Sequence, residues 1–216
     1  YLHAGGFTSG DKSGDHEILK WLCAKGYVAA GINYTLFSGE HPEANVYTQS
    51  VEIRDSIPFV LAEAEKLGYP IDRMAVSGGS AGHALAMLYA YRDADTSPVP
   101  VKMTFGAVGP SCFYLEDWIN MGADPSQLNA VDPEGDYSGM AGLFSAMAGK
   151  EITADMLASG AYLEAATRDD HLHEGCGTCI RAVREGEDVI KTSVFHDFGE
   201  QAVEFLDFDV CEGETT

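Results

Sequence analysis

The chain has 216 residues and carries 34 acidic against 13 basic side chains, a formal net charge of -21. That length suits one domain, and 45% hydrophobic with 22% charged residues is ordinary globular usage, which excludes wholesale disorder. The charge excludes a nucleic-acid-binding or anionic-membrane surface, since both need clustered Lys and Arg.

Residue 1 is Tyr, and Tyr1-Leu2-His3 runs straight into Gly5-Gly6. The sequence therefore reads as entering a first strand midway, as a fragment or processed product would. No apolar run approaches the ~18–20 residues of a membrane span. The five cysteines, at 23, 112, 176, 179 and 211, are an odd number. That fits reduced cytoplasmic thiols better than a disulfide scaffold, so a cytoplasmic location is the expectation.

Strand and helix signals alternate along the first half. Residues 1–2 form the end of a strand, and 3–10 a Gly-rich loop. Residues 12–25 carry Ile18, Leu19, Trp21 and Leu22 at helical spacing, with Gly26 as a stop. The apolar stretch 27–34 predicts a buried strand. Residues 44–67 predict a long amphipathic helix, and Pro58 within it predicts a kink or break near Ser56-Ile57. Residues 73–77 predict a short strand, 81–92 a helix rich in Ala, Leu and Met, and 93–100 a polar loop. Residues 101–108 predict another apolar strand. This alternation implies an α/β fold, a mostly parallel sheet with helices on both faces, incomplete at the N-terminus.

Beyond Pro110 the pattern weakens. Residues 111–160 read as short helical pieces bearing Phe113, Trp118, Met121, Phe144 and Met147, a helical insertion or lid over the sheet within one domain spanning 1–216. Residues 161–167 look helical. Residues 189–195 predict a last strand, 199–208 a last helix, and 211–216 a frayed tail.

The strongest chemical signal is Gly78-Gly79-Ser80-Ala81-Gly82, a G-x-S-x-G pattern between a predicted strand and a predicted helix. A nucleophile held in a sharp strand-to-helix turn needs small flanking residues so that strand and helix can approach. The turn exposes the Ser80 hydroxyl beside a helix N-terminus, where the Ala81 amide points at a developing oxyanion. The bland alternative is a Gly-rich turn that binds phosphate or nothing. A second signal is His3-Ala4-Gly5-Gly6-Phe7 after the first strand, where small residues leave amides unblocked.

These motifs resemble those of the α/β-hydrolase superfamily, within it the hormone-sensitive-lipase-like esterases and carboxylesterases. Their H-G-G-G motif is similar to His3-Ala4-Gly5-Gly6, with Ala4 in place of the first Gly. Their D/N-Y-R-L is similar to Asn33-Tyr34-Thr35-Leu36, and their G-[DG]-S-A-G elbow to residues 78–82. The resemblance covers residues 1–110. It implies a serine hydrolase acting on carboxylic esters through an acyl-enzyme on Ser80, with the amides of Gly5, Gly6 and Ala81 as oxyanion donors. It also implies a structural role for Asp72. His3, Phe7, Gly79, Trp118 and Phe144, with Met121, are the expected substrate pocket. The small-molecule partner is an ester, with no cofactor, no metal and no nucleic acid.

The resemblance also implies an acid and then a histidine after the serine. Asp170 and His196 occupy the matching stretches and are the expected acid and base. The sequence departs from the family here, because no apolar strand precedes Asp170. An alternative register puts Glu200 at the histidine position, which would leave no base and an inactive α/β-hydrolase fragment or binding protein. Lower-ranked candidates are Asp169, Asp188 and Asp197 as acid and His171 or His173 as base. His83 reads as a packing or pocket residue, and His16 and His41 as surface positions. A rival constellation is His171-Leu172-His173-Glu174-Gly175-Cys176-Gly177-Thr178-Cys179. Two imidazoles and two thiolates could bind zinc, or Cys176 and Cys179 could form a redox pair. The compressed spacing and the missing strand count against both.

Overall fold

The structure, a computed structural model, describes residues 1–110, 114–120, 123–124 and 126–167. A 3-10 turn (Lys12–Asp15) leads into α1 (His16–Ala24), followed by α2 (Val46–Lys66), β1 (Met74–Gly79), α3 (Ala81–Leu88) and β2 (Val101–Ala107). Four short helices come next: α4 (Leu115–Ile119), α5 (Ser138–Ala148), α6 (Ala154–Ser159) and α7 (Ala161–Thr167). The expected strand 189–195 and helix 199–208 lie outside the described residues.

β1 and β2 pair in parallel, from Met74 opposite Val101 to Gly79 opposite Ala107. Leu2 extends this sheet, bridging Gly78 on one side and Ile32 on the other, both in parallel. The lateral order is therefore Ile32, Leu2, β1, β2. The Leu2 amide donates to Ser77 O at 2.8 Å, and the Ile32 amide to Tyr1 O at 3.1 Å. The expected strand over 27–34 joins the ladder only at Ile32.

α2 opens with a reciprocal capping box, in which Asn45 accepts from the Thr48 amide and Thr48 accepts from the Asn45 amide. Val46, Gln49, Ser50, Ile53, Ile57 and Ala64 are its buried residues, recurring at helical spacing. The helix runs through Pro58 without the expected break. Pro58 lies on the exposed face, where water can satisfy the carbonyl it leaves free, and Ile53 and Ile57 anchor the turns before it.

α3 is shorter than the expected 81–92 helix. After Leu88 the chain widens into one π-helical turn, Tyr89–Asp93, and then a 3-10 turn, Ala94–Thr96. Side-chain bonds accompany the change of pitch. Tyr89 donates to the Ser97 hydroxyl at 2.9 Å, and the Arg92 guanidinium donates to Ser50 of α2 at 2.8 Å. The same guanidinium pairs with buried Asp93.

The core joins Leu2 and Val76 of the sheet to Ile53 of α2, Leu85 of α3 and Phe144 of α5. α5 and α6 each end on a glycine in the left-handed conformation, Gly149 and Gly160. α7 bears out the helical reading of residues 161–167. Among the described residues, no helix is long and apolar enough to cross a membrane.

Candidate active site

Ser80 sits between β1 and α3 at φ 50°, ψ -116°, a left-handed backbone conformation that costs a residue with a Cβ about 1–3 kcal/mol. Three backbone bonds hold it there. Its amide donates to Ala107 O at the end of β2 (2.9 Å), and its carbonyl accepts from the amides of His83 (3.0 Å) and Ala84 (3.3 Å). The Ala81 amide, in the first turn of α3, has no carbonyl behind it within the helix and is an open donor at its positive end.

The glycines on either side have steric reasons. A Cβ on Gly78 would lie 2.4 Å from the carbonyl carbon of Gly82 and 2.7 Å from Leu2 O. A Cβ on Gly82 would lie 2.0 Å from Leu2 O and 2.8 Å from His3 O. The first turn of α3 therefore rests directly on the backbone of Leu2 and His3, which sets the His3–Gly6 loop beside Ser80. Gly79 is different, because its Cβ would meet only the Tyr1 hydroxyl, at an ordinary 3.5 Å.

That loop is tightly wound. The Gly5 carbonyl accepts from the amides of Thr8 (3.1 Å) and Ser9 (3.0 Å) and from the Ser9 hydroxyl (2.9 Å). Gly5 has φ 136°, and a Cβ there would lie 1.9 Å from Ser9 O. His3 stacks on Tyr34 with centroids 4.3 Å apart, and the Tyr34 hydroxyl donates to His3 O at 2.8 Å. Burial pushes the Tyr34 phenol well above its usual range. Buried Gln49 donates to both Phe7 O (3.1 Å) and Thr35 O (2.8 Å), tying the loop to α2.

A polar clamp closes the loop's far end. Asp11 accepts from the Ser13 amide at 2.8 Å and from Asn33 Nδ2 at 2.6 Å, while Asn33 Oδ1 accepts from the Lys12 amide at 2.7 Å. Bonds from Ser13, then from Asn33, hold the Asp11 carboxyl down at about 2, below its usual 3.8. A lowered carboxyl pKa contributes stability that is present above 3.8 and lost as pH falls from 3.8 toward 2. Asn33→Ala is expected to move the Asp11 titration upward, toward 3.8, in a carboxyl-carbon NMR titration. An unmoved titration would remove Asn33 from the clamp.

The expected site residues divide into two groups. Ser80, Ala81 and Gly79 share the elbow, and the backbone of Gly5 and Gly6 lies in the adjoining loop. The side chains of His3, Phe7 and Phe144 are 2%, 1% and 0% exposed. All three are packed inside the molecule, Phe7 and Phe144 as members of the hydrophobic core. Phe144 packs between half-buried Trp118 (5.7 Å) and Tyr162 (5.4 Å, edge-on).

Met121, Asp169, Asp170, His171, His173, Cys176, Cys179, Asp188, His196, Asp197 and Glu200 lie outside the described residues. Among the described residues no histidine hydrogen-bonds the Ser80 hydroxyl, and no cluster of three or more His, Cys, Asp or Glu could hold a metal. Gln49 was missed as a functional support. Its signal was a polar residue on a helix face otherwise marked by Val46, Ile53 and Ile57.

The BD-FAE family model matches residues 1–129, more than half of the chain. The chain belongs to the BD-FAE family. BD-FAE is an α/β-hydrolase esterase family, which makes the parallel sheet and its flanking helices an α/β-hydrolase fold. Solved structures similar to this BD-FAE chain include a bacterial heroin esterase, at 27% identity and TM-score 0.47, covering 53% of this chain and 35% of that one. The esterase LipW from Mycobacterium marinum is 24% identical with TM-score 0.44, covering 81% of this chain and 45% of that one. Esterase 2 of Thermogutta terrifontis, phosphoramylated by tabun, is 18% identical with TM-score 0.43, covering 78% and 80%. The chain thus spans less than half the length of the first two. No curated protein matches it.

Proposed function

We propose that the chain carries the nucleophile half of a serine esterase. Ser80 attacks the acyl carbon of a carboxylic ester and forms an acyl-enzyme, which water then hydrolyses. The amides of Ala81, Gly5 and Gly6 receive the oxyanion, a contribution of about 3–4 kcal/mol for a single donor. His196 takes the Ser80 proton and passes it to the leaving alcohol, while Asp170 orients the imidazole. The scheme uses no metal or organic cofactor. Residues 111–160 form a cap over the acyl side of the site, in one domain with the sheet.

The observation that carries this reading is the strained Ser80 at the head of α3, with the Leu2–His3 backbone packed against Gly82. A turn that merely linked strand to helix would have no reason to hold a non-glycine residue at that φ. The test is a fluorophosphonate probe followed by peptide mapping. Stoichiometric label on Ser80, together with ester turnover that drops in His196→Ala, is the expected result. Label elsewhere would overturn the nucleophile. Label on Ser80 with turnover unchanged in His196→Ala would move the base to another residue.

A further inference from the structure

Among the described residues, the non-glycine positions with positive φ are Phe7, Ser80 and Val108. Ser80 and Val108 directly follow β1 and β2, and Phe7 lies in the loop that follows the Leu2 bridge, at the same edge of the sheet. Strain recurring along one edge of an α/β sheet marks that edge as the functional one. Phe7 is held by burial and by the bonds to its carbonyl from Gln49 and Phe37. Ser80 is held by the elbow.

Val108, at φ 48°, has neither support. It is β-branched, so the left-handed region is a genuine outlier for it, and it is 55% exposed, so burial gives no return for the strain. The residue after it supplies the restraint. The Gly109 amide donates to His83 Nδ1 at 3.0 Å. A Cβ on Gly109 would lie 2.4 Å from His83 Cβ and 2.5 Å from Ser80 O. A Cβ on Gly106 would lie 2.8 Å from His83 Cγ. The imidazole, carried on the first turn of α3, thus packs against Gly106 of β2 and Gly109 just beyond it, with Nδ1 as acceptor and the proton on Nε2. Burial lowers its pKa and keeps it in that neutral form.

We propose that His83 is a positioning residue that fixes Val108 as an apolar wall for the acyl chain beside Ser80. The wall rests on the esterase reading above, whereas the His83–Gly109 restraint stands independently of it. The ligand class is an ester with an apolar acyl chain long enough to pass Ser80 and reach Val108.

The test compares His83→Leu with His83→Asn in the full chain. Leucine fills the space without an acceptor, while Asn offers Oδ1 near the position of Nδ1. In His83→Leu the ratio of kcat/KM for a butyrate over an acetate ester is expected to fall about tenfold, through KM for butyrate. Exchange of the Gly109 amide with solvent deuterium is expected to speed up in the same variant. His83→Asn recovers both. A general packing defect would lower turnover of both esters alike. An unchanged ratio in folded His83→Leu overturns the wall, and unchanged exchange overturns the restraint. If the wild type shows neither turnover nor label on Ser80, the esterase reading fails and the wall with it. The exchange comparison then still decides whether His83 holds the loop.

Discussion

Gly82→Ala is expected to cost more than about 3 kcal/mol or to abolish cooperative folding, whereas Gly79→Ala should stay within about 1 kcal/mol of the parent. Both residues belong to the same five-residue motif and neither has positive φ, so conformational freedom does not separate them. Contact does. The Gly82 Cβ would sit 2.0 Å from Leu2 O and 2.6 Å from the Leu2 carbonyl carbon, both backbone atoms. Relieving that clash means pushing Leu2 away, yet Leu2 is bonded to Ser77 and is 1% exposed. The Gly79 Cβ meets only the Tyr1 hydroxyl at 3.5 Å, a side-chain end at ordinary contact distance. Urea melts of the two variants check this. Equal losses would mean that the motif's glycines serve the turn itself and not the seat of α3 on the oxyanion loop.

That contrast shows what could be read from the sequence. The pattern G-x-S-x-G between an apolar strand and an Ala-rich helix is local, so both the elbow and the parallel alternation around it were legible. The steric reason for Gly82 is a long-range contact with Leu2 and His3, which no local pattern announces. The restraint by His83 was hidden for the same reason: its partner Gly109 lies across the sheet edge, and a lone histidine on an apolar helix reads as packing. Pro58 misled because the proline rule is local, while the burial of Ile53 and Ile57 that keeps α2 continuous is tertiary. Nothing local in the sequence separates a buried Phe7 or Phe144 from one that lines a pocket. Their burial is tertiary: Gln49 bonds the Phe7 carbonyl, and Trp118 and Tyr162 pack against Phe144.

Ser80 lets chemistry and strain be separated at one position. Ser80→Ala is expected to lower kcat/KM for an activated ester by about 10^4-fold or more and to remove fluorophosphonate labelling. It keeps a Cβ at φ 50°, ψ -116°, so its stability should match the parent. Ser80→Gly removes the Cβ as well as the hydroxyl. The strain it releases is about 1–3 kcal/mol. The added freedom of glycine in the unfolded chain offsets about 0.4–1 kcal/mol of that. Ser80→Gly should therefore be inactive yet more stable than Ser80→Ala by about 1 kcal/mol, read as a shift in urea midpoint at unchanged slope. A gain of that kind is what a site held in a costly conformation for its chemistry should show on losing the chemistry. If Ser80→Gly were the less stable of the two, the positive φ would be a relaxed feature of this turn. The strain argument for Ser80 would then fall.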